Sequence, residues 1–189
     1  MALSDELSLL YCGRGAVTYF GEAVTTMEHS LQTAHLAEVG GASDALVIAA
    51  LLHDIGHLLG SPADDLADWH RDARHEVSGA RWLAARFGQE VAEPVRLHVP
   101  AKRYLCAIDG GFIGRLSAAS IQTLKLQGGP MSPEEILAFE TEPYRRDAIL
   151  LRQWDDQGKV AGRRTPGFSH YCAMMESFSR HWGSKQFTV

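Results

Sequence analysis

Histidine and aspartate side chains stand inside an otherwise apolar stretch of this sequence. Residues 45–59 read ALVIAALLHDIGHLL and contain His53, Asp54 and His57. Buried imidazole and carboxylate groups need partners, and a cation is the simplest partner that keeps such an aspartate ionised. On a helix, His53 and His57 share a face, and Asp54, about 100° away, can still reach a metal beside that face. The stretch therefore predicts a metal centre.

A core pair of histidines, hydrogen-bonded to the backbone or to each other, is the alternative interpretation. Further spaced ligands favour the metal: predicted helices present them as His29, His53 with Asp54, His75, His98 and Asp155. Six such groups are too many for one octahedral ion with positions open for chemistry, so two adjacent ions bridged by Asp54 are the more economical arrangement. Nitrogen and oxygen ligands without thiolate suit iron or manganese, and zinc less well.

The elements that must position these residues are predicted to be helices. A short helix precedes a loop over residues 17–22, and a capping box of Thr25 and Glu28 starts a helix that runs to Gly40. Ser43 caps the next helix, which carries the His-Asp pair and ends near Gly60. An acidic loop over residues 63–72 follows.

Later helices follow from caps and helix breakers. They are predicted from about Arg74 to Phe87, from Gln89 to Val99, briefly from Lys102, from Ser117 to Leu126, from Ser132, from Tyr144 to Trp154, and from about Ser169. The fifth helix should end at Val99, because a residue before proline resists helical geometry. Repeats and convincing alternating strands do not appear in the sequence, so the predicted fold class is all-α.

Composition limits the class of protein. The chain has 189 residues, 46% of them hydrophobic and 22% charged, as in one ordinary globular domain. A net charge of −5 without a basic run argues against nucleic-acid binding. The three widely spaced cysteines indicate a reducing cytoplasm. We expect neither a signal peptide nor a membrane span.

The ligand order resembles the HD-domain superfamily of metal-dependent phosphohydrolases, and His75 and His98 are similar to its dinuclear subset. Over nearly the whole chain, the sequence more closely resembles the HD-domain mixed-valent diiron oxygenases that cleave the carbon–phosphorus bond of hydroxylated aminoethylphosphonates, relatives of myo-inositol oxygenase. The matching stretches are YFGEAVTTMEHSLQ, AALLHDIGH, HVPAKRYL, LSAAS, LQGGPM and WDDQGK. The resemblance implies one HD domain over residues 1–189, a bundle of about seven to eight helices.

The resemblance also implies roles for individual residues. One iron of a mixed-valent Fe(II)/Fe(III) pair would be held by His29, His53, Asp54 and Asp155, and the other by Asp54, His75 and His98. Tyr19 would occupy the open coordination site until substrate displaces it, with Glu22 beside the substrate amine. The remaining contacts to substrate would be Lys102 and Ser120 on the phosphonate, with His57, Gln127 and Arg152 as further contacts.

The implied reaction uses dioxygen as co-substrate. It converts 1-hydroxy-2-(trimethylammonio)ethylphosphonate or 2-amino-1-hydroxyethylphosphonate to glycine betaine or glycine plus phosphate, after a separate hydroxylase in the same pathway. A dianionic phosphonate needs local positive charge, which Lys102 and two metal ions supply. Trp69, Trp82 and the tyrosines could cage a trimethylammonium group. Residues 60–72 are the candidate segment to close over the site.

Two other functions stay open from the residues alone. A phosphohydrolase would act on a nucleotide or phosphate ester through a metal-bound hydroxide, without dioxygen. A metal-stabilised sensor domain would need no chemistry, but it gives no reason for Tyr19, Lys102 and Ser120 to accompany the ligands. The alternative interpretations are that Lys102 only caps a helix end, that Tyr19 is a half-buried aromatic, and that Ser120 and Gln127 are ordinary surface or cap residues.

Overall fold

The computed structural model describes residues 3–17, 19, 21–60 and 74–186. Within these ranges the regular elements are helices and no β-strand occurs, which confirms the all-α prediction. The predicted acidic loop over residues 63–72, almost all of the candidate closing segment, and Trp69 lie outside the described residues.

Ten α-helices and two short 3₁₀ turns make up the described part of the chain. The helices are α1 (Leu3–Gly13), α2 (Thr26–Val39), α3 (Asp44–Leu52), α4 (Ile55–Leu59), α5 (His75–Phe87), α6 (Gln89–Ile108), α7 (Ala118–Leu126), α8 (Pro133–Glu140), α9 (Arg145–Gln157) and α10 (Phe168–Gln186). The 3₁₀ turns are Arg14–Ala16 and Ile113–Arg115. The count exceeds the seven to eight that the resemblance implies. Among the helices predicted from caps and breakers, the His-Asp stretch divides into two, and those from Gln89 and Lys102 form one.

Side-chain caps fix where several helices begin. At α2, Thr25 accepts a hydrogen bond from the Glu28 backbone while the Glu28 carboxylate accepts one from the Thr25 backbone, which is the predicted capping box. The same reciprocal pair, Ser132 with Glu135, starts α8. Ser43 and Ser117 cap α3 and α7 through single bonds.

Helix α3 forms the centre of the core. All eight residues from Ala45 to Leu52 are buried, as expected for a helix that is apolar on every side. It contacts α2, α6, α9 and α10, and the first three of these helices carry the predicted ligands His29, His98 and Asp155. The chain therefore delivers His53 and Asp54 directly from the core.

The prediction of one helix through the His-Asp pair is wrong. Helix α3 ends at Leu52, and Asp54 has φ −98° and ψ 11°, outside helical geometry, before α4 begins at Ile55. His53 and His57 consequently do not share one continuous helix face. Asp54 therefore lies between two helices, and its carboxylate faces His53 and His75.

The predicted helix end at Val99 is also wrong. Helix α6 continues through Pro94 and Pro100 to Ile108. Pro100 removes one hydrogen-bond donor, but Leu97 before it and Ala101 after it are both buried in one cluster with Phe139. Burial on both sides outweighs the lost bond. Lys102 is therefore one helical turn beyond His98 on the same helix face.

Three further observations concern membrane spanning, the cysteines and Trp82. None of the described helices combines the length and apolar character needed to cross a membrane. Cys12, Cys106 and Cys172 are all unpaired. Trp82 already lies under the Arg86 guanidinium, 3.7 Å from its ring centroid, so this ring is engaged on one face.

Candidate metal centre

The Asp54 carboxylate lies between two pairs of histidines. Its Oδ2 is 3.3 Å from His53 Nε2 and 3.8 Å from His29 Nε2. Its Oδ1 is 3.3 Å from His75 Nε2 and 3.8 Å from His98 Nε2. Each oxygen therefore faces one pair of imidazoles, the geometry that a carboxylate bridging two metal ions requires. The resulting triads are His29, His53 and Asp54, and Asp54, His75 and His98.

Within each pair the imidazole nitrogens face one another closely. Nε2 of His29 and His53 are 3.1 Å apart, and those of His75 and His98 are 3.2 Å apart. Two ligands about 2.1 Å from one metal are separated by roughly 3.0–3.4 Å at right-angled to tetrahedral geometry, so both spacings suit coordination.

Main-chain carbonyls fix the tautomer of three of these rings. The contacts join Nδ1 to a carbonyl oxygen at 2.7–3.0 Å: His29 to Gly158, His53 to Ala50, and His98 to Val95. A carbonyl only accepts, so Nδ1 carries the hydrogen and a neutral Nε2 presents its lone pair. Facing lone pairs in a buried site need a cation between them, so the residues present fit a metal ion.

Asp155 stands at the edge of the first triad. Its Oδ1 is buried, accepts no hydrogen bond from the described residues, and lies 3.3 Å from His29 Nε2. Its Oδ2 is held by Arg152 Nη1 at 2.7 Å. Burial opposes ionisation, but Arg152 and Lys159 keep the pKa of Asp155 well below its ordinary value. With Oδ2 anchored, Oδ1, which lies 3.3 Å from both His29 Nε2 and Lys159 Nζ, is the oxygen that suits a terminal metal ligand.

Charge states at the centre favour ligation. Burial lowers the pKa of His29 and holds that of His98 well below its ordinary value, so both imidazoles are neutral near pH 7. Burial of Asp54 is outweighed by His53 and His75, which hold the pKa of this carboxyl well below its usual range. Burial opposes protonation of His53, but Asp54 outweighs it and raises the pKa of this imidazole. The site thus contains neutral donors at His29 and His98 beside an ionised Asp54 carboxylate.

A glycine permits the close approach that brings His75 to the centre. A Cβ on Gly56 would lie 2.1 Å from the His75 carbonyl oxygen, so α4 and α5 could not pack as they do with any other residue there. In this arrangement the His57 ring stacks on the His75 ring, with centroids 3.9 Å apart. Burial lowers the pKa of His57 to about 3, so the ring is neutral.

Tyr19 reaches the centre from a tight turn before α2. The Glu22 backbone N–H donates to the Tyr19 carbonyl oxygen at 2.7 Å, and the Tyr19 ring stacks on His29 at 4.2 Å. The hydroxyl donates to Asp54 Oδ2 at 2.6 Å. Burial and Asp54 hold the pKa of Tyr19 well above its ordinary value. Glu22 Oε1 is buried and accepts no hydrogen bond from the described residues.

A buried basic cluster adjoins the ligands. Lys102, only 3% exposed, donates to Thr123 Oγ1 at 2.9 Å, and the Thr123 hydroxyl donates to the Ser120 carbonyl oxygen at 3.1 Å. Lys159 donates to Ser120 Oγ at 3.1 Å. Burial, followed by Arg152, lowers the pKa of Lys102 to about 7. An anion entering here would meet two lysines and two hydroxyls.

Comparison with protein families identifies the fold. The HD domain model matches residues 26–142, a range that includes every ligand of both triads. This chain belongs to the HD-domain family. Asp155, the further ligand predicted beside the first triad, lies beyond the matched range.

Two relatives of this HD-domain chain are named phosphonate dioxygenases, and a third is uncharacterized. The hydroxymethylphosphonate dioxygenase of Gimesia maris is 45% identical over 87% of this chain and 82% of its own. The glycine-betaine-forming [1-hydroxy-2-(trimethylamino)ethyl]phosphonate dioxygenase of Leisingera caerulea is 42% identical over 90% of this chain and 88% of its own. An uncharacterized protein of Acanthamoeba polyphaga mimivirus is 35% identical over 88% of this chain and 77% of its own.

Some predicted contact residues have other partners in this HD domain. Arg152 is occupied by Asp155 and Asp156, and its Nε donates to Asp156 Oδ2 at 2.9 Å. Gln127 is the C-cap of α7, and its buried Oε1 accepts no hydrogen bond from the described residues. Arg152 thus holds the carboxylate of Asp155, one of the predicted ligands.

Sequence reasoning missed Lys159 and Thr123. Lys159 ends the stretch WDDQGK, four residues after Asp155, so helical spacing already indicated that the two side chains could meet. No comparable signal marks Thr123, whose role depends on Lys102 lying on the same continuous helix as His98.

Proposed function

We propose that this chain is a dioxygenase that uses a pair of iron ions to cleave the carbon–phosphorus bond of a 1-hydroxyalkylphosphonate. The observation that carries the proposal is the Asp54 carboxylate, whose two oxygens face separate pairs of histidines beside a buried basic cluster. The two named dioxygenase relatives, 45% and 42% identical over most of the chain, support the same reaction.

Each metal has its own ligand set in this proposal. One iron is held by His29, His53, Asp54 and Asp155, and the other by Asp54, His75 and His98. The donors are all nitrogen or oxygen, a set that suits iron and leaves positions for substrate and dioxygen. A mixed-valent iron pair, when bound, supplies the oxygen activation that no side chain in this site can perform.

The side chains around the metals bind and orient the substrate. Lys102 and Ser120 take the phosphonate oxygens, and Thr123 holds the Lys102 ammonium in place at 2.9 Å. Glu22 faces the end of the substrate that carries an amine, when one is present. His57 stacks on His75 and limits the space beside the second metal. Gln127 is proposed as a further polar contact.

Tyr19 controls access to the bridging carboxylate. Its hydroxyl keeps its proton because the pKa is raised, and it donates this proton to a hydrogen bond with Asp54. Substrate entry breaks that bond and moves the ring away. Arg152 meanwhile keeps Asp155 oriented toward His29 throughout.

The overall reaction balances without an external reductant. One dioxygen and one 1-hydroxyalkylphosphonate give one carboxylic acid and one phosphate, because each product gains one oxygen atom while the carbon–phosphorus and C1–hydrogen bonds break. The relatives' names support hydroxymethylphosphonate and the trimethylated aminoethyl compound as candidates, and the free 2-amino-1-hydroxyethylphosphonate is the third. A separate hydroxylation must supply the C1 hydroxyl.

Product release with and without dioxygen tests the proposal. Iron-loaded protein is supplied with each of the three phosphonates, and phosphate, carboxylate and oxygen consumption are measured. We expect equal amounts of phosphate and carboxylate from at least one phosphonate, only in the presence of dioxygen. Sustained anaerobic hydrolysis of phosphate esters, without phosphonate cleavage in air, would instead identify a phosphohydrolase.

A further inference from the structure

Three basic side chains, Lys102, Arg152 and Lys159, lie near two acids beside the metal centre. Lys102 and Arg152 are each 3% exposed, and the Lys159 side chain is 9% exposed. The carboxylates within ion-pair distance of Arg152 and Lys159 in the described chain are Asp155 and Asp156. If all three basic groups carry their protons, the cluster holds one positive charge more than its acids balance. Such an excess in a buried site is stabilised by an anion.

Lys159 lies between Ser120, Asp155 and the ring of Tyr19. Its Nζ lies 3.1 Å from Ser120 Oγ, 3.3 Å from Asp155 Oδ1 and 5.8 Å from the centroid of the Tyr19 ring. One ammonium therefore touches a proposed phosphonate contact and a proposed metal ligand, close to the ring that substrate must displace. The residue before Lys159 is Gly158, whose carbonyl oxygen accepts a hydrogen bond from His29.

Lys159 and Lys102 approach the same surface of α7. Lys159 contacts Ser120, and Lys102 contacts Thr123 one turn later on that helix. Burial is the largest cause of the lowered pKa of Lys102, and Arg152 and Lys159 lower it further, so the charges are close enough to repel one another. Two ammonium groups one turn apart, each on a hydroxyl, suit a group with several anionic oxygens.

We propose that Lys159 is a further substrate-binding residue, which donates to a phosphonate oxygen together with Ser120, one helical turn from the Lys102 contact. This inference rests on the proposed function, because it assigns part of the same substrate site. When Asp155 holds a metal ion, the Lys159 ammonium, 3.3 Å from Asp155 Oδ1, would be available to the phosphonate. Two phosphonate oxygens would then each have a lysine.

Binding measurements on the metal-loaded protein test this role. Titration calorimetry without dioxygen uses hydroxymethylphosphonate and inorganic phosphate as probes, with the wild type, Lys159→Met, Lys159→Arg and Lys125→Met. Lys125 is an exposed lysine on α7, the helix that carries Ser120 and Thr123, and it is the matched control. Lys159→Met loses one charge-assisted hydrogen bond, so its affinity for both probes should fall about 10- to 100-fold. Lys159→Arg should recover most of the affinity, and Lys125→Met should bind as the wild type does.

Metal content separates substrate binding from support of Asp155. We expect Lys159→Met to keep wild-type metal content, and to raise KM far more than it lowers kcat. Unchanged affinity in Lys159→Met overturns the inference. A loss of affinity accompanied by an equal loss of metal also overturns it, since Lys159 would then only hold Asp155. If the wild type binds phosphate through Lys159 but cleaves no phosphonate, the proposed function fails and the Lys159 contact stands.

Discussion

The Tyr19 hydroxyl donates to Asp54 Oδ2 at 2.6 Å, on the oxygen that faces His29 and His53. The ring simultaneously stacks on His29 with centroids 4.2 Å apart. A single aromatic residue therefore covers the carboxylate that we propose as the bridge and one proposed ligand, His29. In the proposed function, substrate that reaches the metal must break the hydrogen bond and the stack.

Replacing Tyr19 by phenylalanine should tighten substrate binding, because substrate no longer has to break the bond to Asp54. A typical hydrogen bond contributes about 0.5–1.5 kcal/mol, so Kd for hydroxymethylphosphonate should fall roughly 2- to 12-fold. Anaerobic titration calorimetry of the metal-loaded protein measures this change. Tyr104→Phe, which removes a hydrogen bond to Glu140 on an exposed surface, is the control. Weaker binding by Tyr19→Phe would contradict the gating role.

Replacing Asp54 by asparagine should empty the centre of metal. An amide offers one oxygen acceptor and an NH₂ group, so it cannot bridge two ions as a carboxylate does. We expect metal content below half of the wild-type value and no phosphate release, both measured on the same preparation. Asp44→Asn removes an exposed carboxylate from the first turn of α3 and should leave metal content unchanged. Full metal content in Asp54→Asn would refute the bridging role.

Replacing Lys102 by methionine should stabilise the protein while weakening anion binding. The side chain is 3% exposed, and burial is the main cause of its lowered pKa, so its charge is costly in the folded state. Replacing buried charges by apolar groups of similar size often stabilises by about 1–4 kcal/mol. Thermal unfolding should therefore show a higher Tm, roughly 2–4 °C for each kcal/mol. Loss of metal from this variant would contradict its assignment to the phosphonate.

The pH dependence of anion binding should follow Lys102. Its pKa of about 7 in the free protein means that the ammonium loses its proton above neutral pH, whereas a bound dianion favours the protonated form. Affinity for sulfate, whose charge is constant here, should be nearly flat below pH 7 and fall up to about tenfold per pH unit above it. Lys102→Arg should remove this dependence on pH. The same profile in both proteins would assign the titration to another group.

Replacing Gly56 by alanine should disrupt the second metal site. The new Cβ would meet the His75 carbonyl oxygen at 2.1 Å, so α4 and α5 must separate and His75 must move. Overpacking of this kind costs about 1–3 kcal/mol. Metal analysis and thermal unfolding should both show losses. Gly183→Ala, a helical position with no atom within 4 Å of the new Cβ, should instead stabilise by about 0.5–1 kcal/mol.

Local chemistry in the sequence was sufficient for most helix boundaries. Thr25, Ser43 and Ser132 start helices where capping predicts, because a cap depends on residues only three positions apart. Pro100 misled the prediction, because the cost of a proline is local whereas the burial of Leu97 and Ala101 that offsets it comes from distant helices. The non-helical Asp54 depends in the same way on contacts with distant ligands.

Residue types and spacing indicated which side chains belong to the site, but they did not indicate their partners. The histidines and Asp54 meet as the ligand hypothesis requires. The resemblance implied Arg152 as a substrate contact, and in the structure Asp155 and Asp156 hold its guanidinium. The contact between Lys159 and Ser120 was not predicted, because it joins residues 39 positions apart. Such pairings arise from helix packing and have no local signature.

The contact between His29 and Gly158 joins positions 129 residues apart in the chain. During synthesis, the first triad's imidazoles leave the ribosome long before Asp155, at about 5–20 residues per second. The first metal site therefore cannot be complete in a nascent chain until α9 has emerged and docked. Loading of the proposed site with metal is consequently a late event in the maturation of this protein. It requires that α2 and α9 have already packed together.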